Sequence, residues 1–328
     1  MNFHLSKSTT DVLKFVSAIL VVLHHFVCCM PDAWDFIPYR PIVFFAGSAG
    51  VSVFFFLSGF GLMESERNSH LDFRAFIRRR FLKIYLPVLL VTALWLGFGS
   101  IFVPGVLIPG EQHSFLYNLF INFGDPVFWF VQVLLWLYAG FYLFTLIYAH
   151  RPAVALIFLS AFTIIVAIGT YHWHVPVLSA PVPFFTIGVI TSLVKDKKYG
   201  LWIMIDLLAI ILAVDLPIYD IHTTLRIMFN LVLIATILGV FSVRRIDLRI
   251  PPLLAAVSFD IYLVHFKMLM MRTFDDSLRD IAIYTAALIS CTLLIYYIRT
   301  SLLGPKTANL MSKMPVFWRK PNRNVKSC

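Results

Sequence analysis

Charge is what this sequence has least of. Asp, Glu, Lys and Arg together supply 13% of the residues, where a soluble domain carries about 25%. Cysteine is scarce as well, with four residues, of which Cys28 and Cys29 are adjacent. They show no metal-ligand spacing and do not suggest a disulfide framework. No low-complexity tract and no internal repeat stands out. What fills the space is apolar: 60% of the chain is hydrophobic, against about 45–50% in ordinary globular proteins. That is more apolar surface than a water-soluble core can hide.

The apolar residues come in runs, and a bilayer is crossed by about 20 residues of helix. Runs fall at 11–29, 41–63, 84–104, 126–149, 152–171, 176–194, 200–216, 225–241, 253–271 and 280–299. The expected fold is therefore all-α: a polytopic membrane protein of about ten transmembrane helices, with no soluble domain of useful size left over. The sixth run is interrupted by Pro176, Pro181 and Pro183, and the seventh is short. The first run does not read as a cleavable signal peptide. It carries Asp11, Lys14 and two histidines, and Cys28, Cys29 and Met30 follow where small residues would mark cleavage.

The formal net charge of +10 is a topology signal. With the N-terminus inside, inside loops hold 21 of the 27 lysines and arginines, outside loops hold four, and Lys14 and Lys267 lie within helices. This is the bias that orients membrane helices. It places both termini in the cytoplasm, with residues 301–328 as a basic tail behind a membrane domain of residues 1–300, and it leaves no role for nucleic acid.

Two histidines, His24 and His25, sit in the first apolar run. At about 100° per residue, Lys14 and His25 share a helix face to within about 20° and stand about 16 Å apart, while His24 lies about 80° away. Asp11 is three residues before Lys14 and can pair with it. The result is a polar stripe on an apolar helix. Such stripes face a bundle interior or a water-filled cavity and often mark a functional path. A second reading makes His25 a hydrogen-bonded link between helices. His24, off the stripe, reads as structural.

Small residues at Gly47, Gly50, Ser58, Gly59 and Gly61 read best as a helix-packing surface. Next comes FRAFIRRRFLKIYLP, residues 73–87, with Arg74, Arg78, Arg79, Arg80 and Lys83. Part of this charge anchors the loop against anionic headgroups. Arg80 and Lys83 share a face and suit a phosphate-bearing donor.

Several of these segments resemble the acyltransferase-3 family of transmembrane acyltransferases. KFVSAILVVLHH, with Lys14 and His25, is similar to the family's arginine, ten residues and histidine in helix one. GVSVFFFLSGF (Gly50 to Phe60), RFLKIYLP (Arg80 to Pro87), FWFVQVLLWLY (Phe128 to Tyr138) and SFDIYLVH (Ser258 to His265) resemble further family stretches in order. Lysine stands in place of the family arginine at Lys14 and Lys83. The resemblance implies transfer of an acyl group, usually acetyl from cytoplasmic acetyl-CoA, to a hydroxyl of a cell-surface glycan or lipid-linked acceptor. It implies no permanently bound cofactor, and an integral protein of a bacterial cytoplasmic membrane in contact with lipid.

In those terms His25 is the candidate general base, and Lys14, Arg78, Arg79, Arg80 and Lys83 are candidate donor-binding residues. In the ninth run, Ser258, Tyr262 and His265 share one face and are candidates for acceptor binding, with His265 as an interfacial anchor in a second reading. Asp260 and Lys267 share the opposite face and read as a pair that locks neighbouring helices. A transporter or flippase for a lipid-linked glycan would use the same stripe without covalent chemistry. An inactive relative that senses acyl-CoA is a third reading.

Overall fold

The structure, a computed structural model, describes residues 5–29, 42–68, 72–80, 84–102, 129–173, 176–195, 220–243, 247–270 and 278–303. Among these, helices are the regular structure and no strand occurs. In chain order they are α1 (Lys7–Cys29), α2 (Gly47–Asn68), α3 (Phe73–Arg80), α4 (Leu86–Phe102), α5 (Trp129–Tyr148), α6 (Pro152–Trp173), α7 (Phe184–Val194), α8 (Ile221–Val243), α9 (Pro252–Met270) and α10 (Leu278–Leu303). Seven of them, α1, α2, α5, α6, α8, α9 and α10, are long and apolar enough to cross a membrane.

Two of the ten expected spans look different. The third corresponds to α4, of 17 residues, and the basic stretch before it forms the separate short helix α3. The sixth is divided. Prolines lack the backbone N–H that a continuing helix needs, so the segment makes a 3-10 turn at Pro176–Ser179. Val182 then donates its N–H to Ser179 O at 3.0 Å and Phe184 to Pro181 O at 3.2 Å, and α7 begins only at Phe184, with 11 residues. The seventh, 200–216, lies outside the described residues, as does the tail beyond Leu303.

The bundle is built around α2 and α7, which pack more extensively than any other pair of described elements. Backbone contact makes this possible. A Cβ at Gly59 would stand 2.0 Å from Phe185 O, and one at Gly188 would stand 2.1 Å from Phe56 O. The glycines of each helix thus admit the main chain of the other, so the small-residue face in α2 is a packing surface. Ends close the contact: the Glu64 carboxylate accepts from Lys195 Nζ at 2.6 Å and Ser192 Oγ at 2.5 Å, and Arg67 donates to Ser192 O at 2.6 Å.

α1 lies antiparallel to α2, with Gly47 against the His24 ring and Gly50 against Ser17 O. α9 runs parallel to α1. At one end the Ser6 and Ser8 hydroxyls donate to Asp247, and Leu248 N–H donates to Thr9 Oγ1 at 3.2 Å. At the other end His25 meets His265. α10 returns antiparallel along α9, where Arg299 pairs with Asp260 at 2.7 Å. α8 starts beside the residues that lead into α2, with Phe44 against His222 and Asn230 Nδ2 donating to Ser48 Oγ at 2.7 Å. One end of the bundle therefore gathers Lys7, Arg67, Arg74, Arg78 and Lys195. His24, His25 and His265 lie toward the other.

Candidate active site

The site is built where α1 and α9 run side by side. α1 supplies the Lys14 to His25 face, and α9 supplies Tyr262 and His265. Both histidine rings are held by main chain as well as by each other. The His265 Nδ1 lies 2.6 Å from the Tyr262 carbonyl oxygen, and the His25 Nδ1 lies 3.1 Å from the Val21 carbonyl oxygen. The His265 Nε2 stands 3.0 Å from the His25 Nδ1.

These contacts fix the tautomers. A carbonyl oxygen only accepts. His265 Nδ1 must therefore carry its proton, and the Nε2 of the neutral ring is a lone pair. His25 Nδ1 must carry its proton too, shared between Val21 O and His265 Nε2. The bond one ring nitrogen makes decides the state of the other. The His25 Nε2 is left as a lone pair, and it has no hydrogen-bond partner among the described residues. That is the arrangement a general base requires.

Apolar rings surround the pair. Phe266 lies 5.3 Å from His25, centre to centre, and Tyr262 lies 5.6 Å from His265. Tyr262 in turn meets Phe54 and Phe130. His265 is fully buried while His25 is half-buried. His265 therefore sits behind His25, in the packed interior of the described bundle. Ser258 is buried and donates to Ala255 O of its own helix at 3.0 Å. It sits two turns, about 10 Å, below His265, so the structure does not bring it to the histidines.

His24 has a different setting. Its ring covers Gly47, its Nδ1 donates to Ile42 O at 3.3 Å, and its Nε2 is 4.0 Å from Cys28 Sγ. It fastens α1 to the turn that leads into α2.

Other candidates are spread along the bundle. Lys14 is half-buried on α1. Arg78 is exposed on α3, near the basic end. Arg80 places its guanidinium over the Phe76 and Tyr138 rings, at 5.7 and 5.3 Å. With Phe73, Ile77, Tyr85 and Leu135 it lines a cavity of about 530 Å³. Arg79 belongs to α3, and Lys83 lies outside the described residues. The opposite face of α9 does engage neighbouring helices. Asp260 is fully buried and paired with Arg299, and the Lys267 ammonium lies 4.7 Å from the centre of the Trp95 ring of α4.

The hydrogen-bonded link from His25 to another helix was one of the two readings of the sequence, and it is present; sequence reasoning missed its partner, His265, and the Glu64, Ser192 and Lys195 junction. Each contact joins segments more than a hundred residues apart. The available signal for the first was that both histidines sit near the same end of their expected spans.

No match to the chain was found among curated proteins or among solved structures. A family model does match, over residues 9–300, and its description is an acyltransferase domain. With that match covering most of the chain and both histidines, the protein belongs to the acyltransferase-3 family and is a membrane acyltransferase.

Proposed function

We propose that the protein is an O-acyltransferase that moves an acyl group, acetyl in the first instance, from cytoplasmic acyl-CoA to a hydroxyl of a cell-surface glycan or lipid-linked relative. His25 acts as general base. The observation that carries the reading is the lone pair on His25 Nε2, held in place by a hydrogen-bonded Nδ1.

The chemistry follows from that nitrogen. The acceptor hydroxyl attacks the thioester carbonyl carbon while His25 Nε2 takes its proton. The tetrahedral intermediate collapses with cleavage of the carbon–sulfur bond, and the imidazolium returns the proton to the departing CoA thiolate. The ester and free CoA are the products, and His25 ends neutral as it began. A positioned base of this kind contributes about 10²–10⁴-fold in rate.

Charge along the bundle suits a phosphate-bearing donor at one end and an acceptor at the other. Arg78 and Arg80 stand at the basic end together with Arg79 of α3, where the donor's phosphates would be held. Lys83 is assigned there by its place in the sequence. Lys14 lies on α1 between that end and His25, in position to accompany the donor's polar arm. The acceptor is assigned to the side of His25 away from the basic end; Tyr262 packs behind His265, and Ser258, two turns nearer the basic end, is given no part in it. The donor is a substrate, and the reading invokes no resident cofactor. The membrane concerned is a bacterial cytoplasmic membrane, with the basic end inside.

The test uses envelopes of a host strain, radiolabelled acetyl-CoA and the full chain. Label should pass into the glycan fraction only when the protein is present. Deleting the gene from its own host should remove an acetyl mass increment from a surface glycan. A glycan pool with unchanged masses, and envelopes with no transferred label, would overturn the reading.

A further inference from the structure

We infer that His265 is a positioning residue for the reaction: its Nε2 accepts the His25 Nδ1 proton and holds His25 in the tautomer whose Nε2 removes the acceptor proton. This rests on the reading of His25 as the base and assigns a role that the sequence alone did not suggest.

The argument is geometric. His265 is fixed from behind by the 2.6 Å bond from its Nδ1 to Tyr262 O. Its ring is fully buried, and Tyr284 of α10 donates its hydroxyl to the His265 carbonyl at 3.5 Å. A ring so held presents one defined acceptor, Nε2, at 3.0 Å from His25 Nδ1. In catalytic triads a third group orients the base through its far nitrogen and stabilises the charge it gains. Here a neutral imidazole occupies that place, and no carboxylate bonds His25 among the described residues. When His25 is protonated on Nε2, the Nδ1–H to His265 bond becomes charge-assisted and therefore stronger. The Val21 carbonyl shares the same proton, but a bond within one helix turn cannot by itself stop the ring from rotating toward α9. The buried His265 ring fills that space.

A merely structural role predicts something else. If His265 only packed α9 against α1, size and burial would decide the effect of a substitution. If it positions His25, a hydrogen-bond acceptor near the Nε2 site decides it. Gln can place Oε1 near that site and Leu cannot. The experiment measures kcat and KM for radiolabelled acetyl-CoA with envelopes as acceptor, for the full-length wild type, His265→Gln and His265→Leu. A second readout, on resting purified protein, is the 15N–15N coupling across the hydrogen bond between His25 Nδ1 and His265 Nε2.

The expected result is a fall in kcat of ~10²-fold in His265→Leu, the scale on which a positioned base contributes, with KM changed little. His265→Gln should recover most of the loss, and the coupling should be present in the wild type. Equal impairment of the two variants, a His265→Leu enzyme with wild-type kcat, or no coupling would each overturn the inference. A wild type that transfers no acetyl would defeat the acetyltransferase reading alone, because the coupling reads the histidine pair without turnover.

Discussion

His24 and His25 are adjacent, and their surroundings divide their roles. Helical periodicity separates them in the sequence, because one residue step turns the side chain by about 100°. The structure gives each its own partners: Ile42 O and Gly47 for His24, Val21 O and His265 for His25. What periodicity could not show is the partner, since a contact across 240 residues depends on how two helices pack. Asp260 illustrates the same limit. Its face was legible, but its charge partner is Arg299 of α10. That pair makes a prediction. Leaving one member of a buried ion pair alone costs about 3–5 kcal/mol, whereas replacing both with apolar residues is often neutral. Asp260→Ala should lower the thermal stability of the purified protein strongly, and Asp260→Leu with Arg299→Met should restore most of it. Equal loss in the single and double variants would show that the pair does not carry the effect.

At the scale of elements, the glycines of α2 divide by what they touch. Gly59 faces Phe185 O so closely that an added methyl must push α7 away, while Gly61 has nothing within 4 Å. Gly59→Ala should therefore destabilise the bundle by about 1–3 kcal/mol, the range for an overpacked core. Gly61→Ala should be neutral or stabilising by up to about 1 kcal/mol, because Ala is the better helix former. Denaturant or thermal unfolding in one detergent compares them directly, and similar losses in both would contradict the packing account. The small-residue face was legible in the sequence, but Gly188, its counterpart, was not, because a single glycine in an apolar run carries no sign of its partner. Arg80 shows the reverse. Its place in a basic run suggested a phosphate ligand, and its fold neighbours are the rings of Phe76 and Tyr138. Phe76 is one helical turn away, but Tyr138 is distant in sequence and is a neighbour that a linear reading cannot show.

Across the whole molecule, the directions of the helices carry the topology. α2, α7 and α8 run parallel to one another and antiparallel to α1 and α9. Asp72, before α3, and Asp220, before α8, are both exposed and lie at opposite ends of the bundle. With the basic end inside, a membrane-impermeant thiol reagent should label Asp220→Cys in intact cells and Asp72→Cys only after permeabilisation, in a chain otherwise free of cysteine. Labelling of both from outside would contradict the orientation. The all-helical class and seven long apolar helices were legible because hydrocarbon demands long runs. The prolines that divide the sixth run were legible as well, but the start of α7 was not, since it depends on the 3-10 turn and the hydrogen bonds that follow it. The central claim is that one of two neighbouring histidines is the base. Its most direct test is the rate of radiolabelled acetyl transfer from acetyl-CoA by wild type, His25→Ala and His24→Ala, each matched for folded protein. Loss of ~10²-fold or more in His25→Ala, with His24→Ala within about tenfold of wild type, is the predicted result; retained activity in His25→Ala beside loss in His24→Ala would contradict the account.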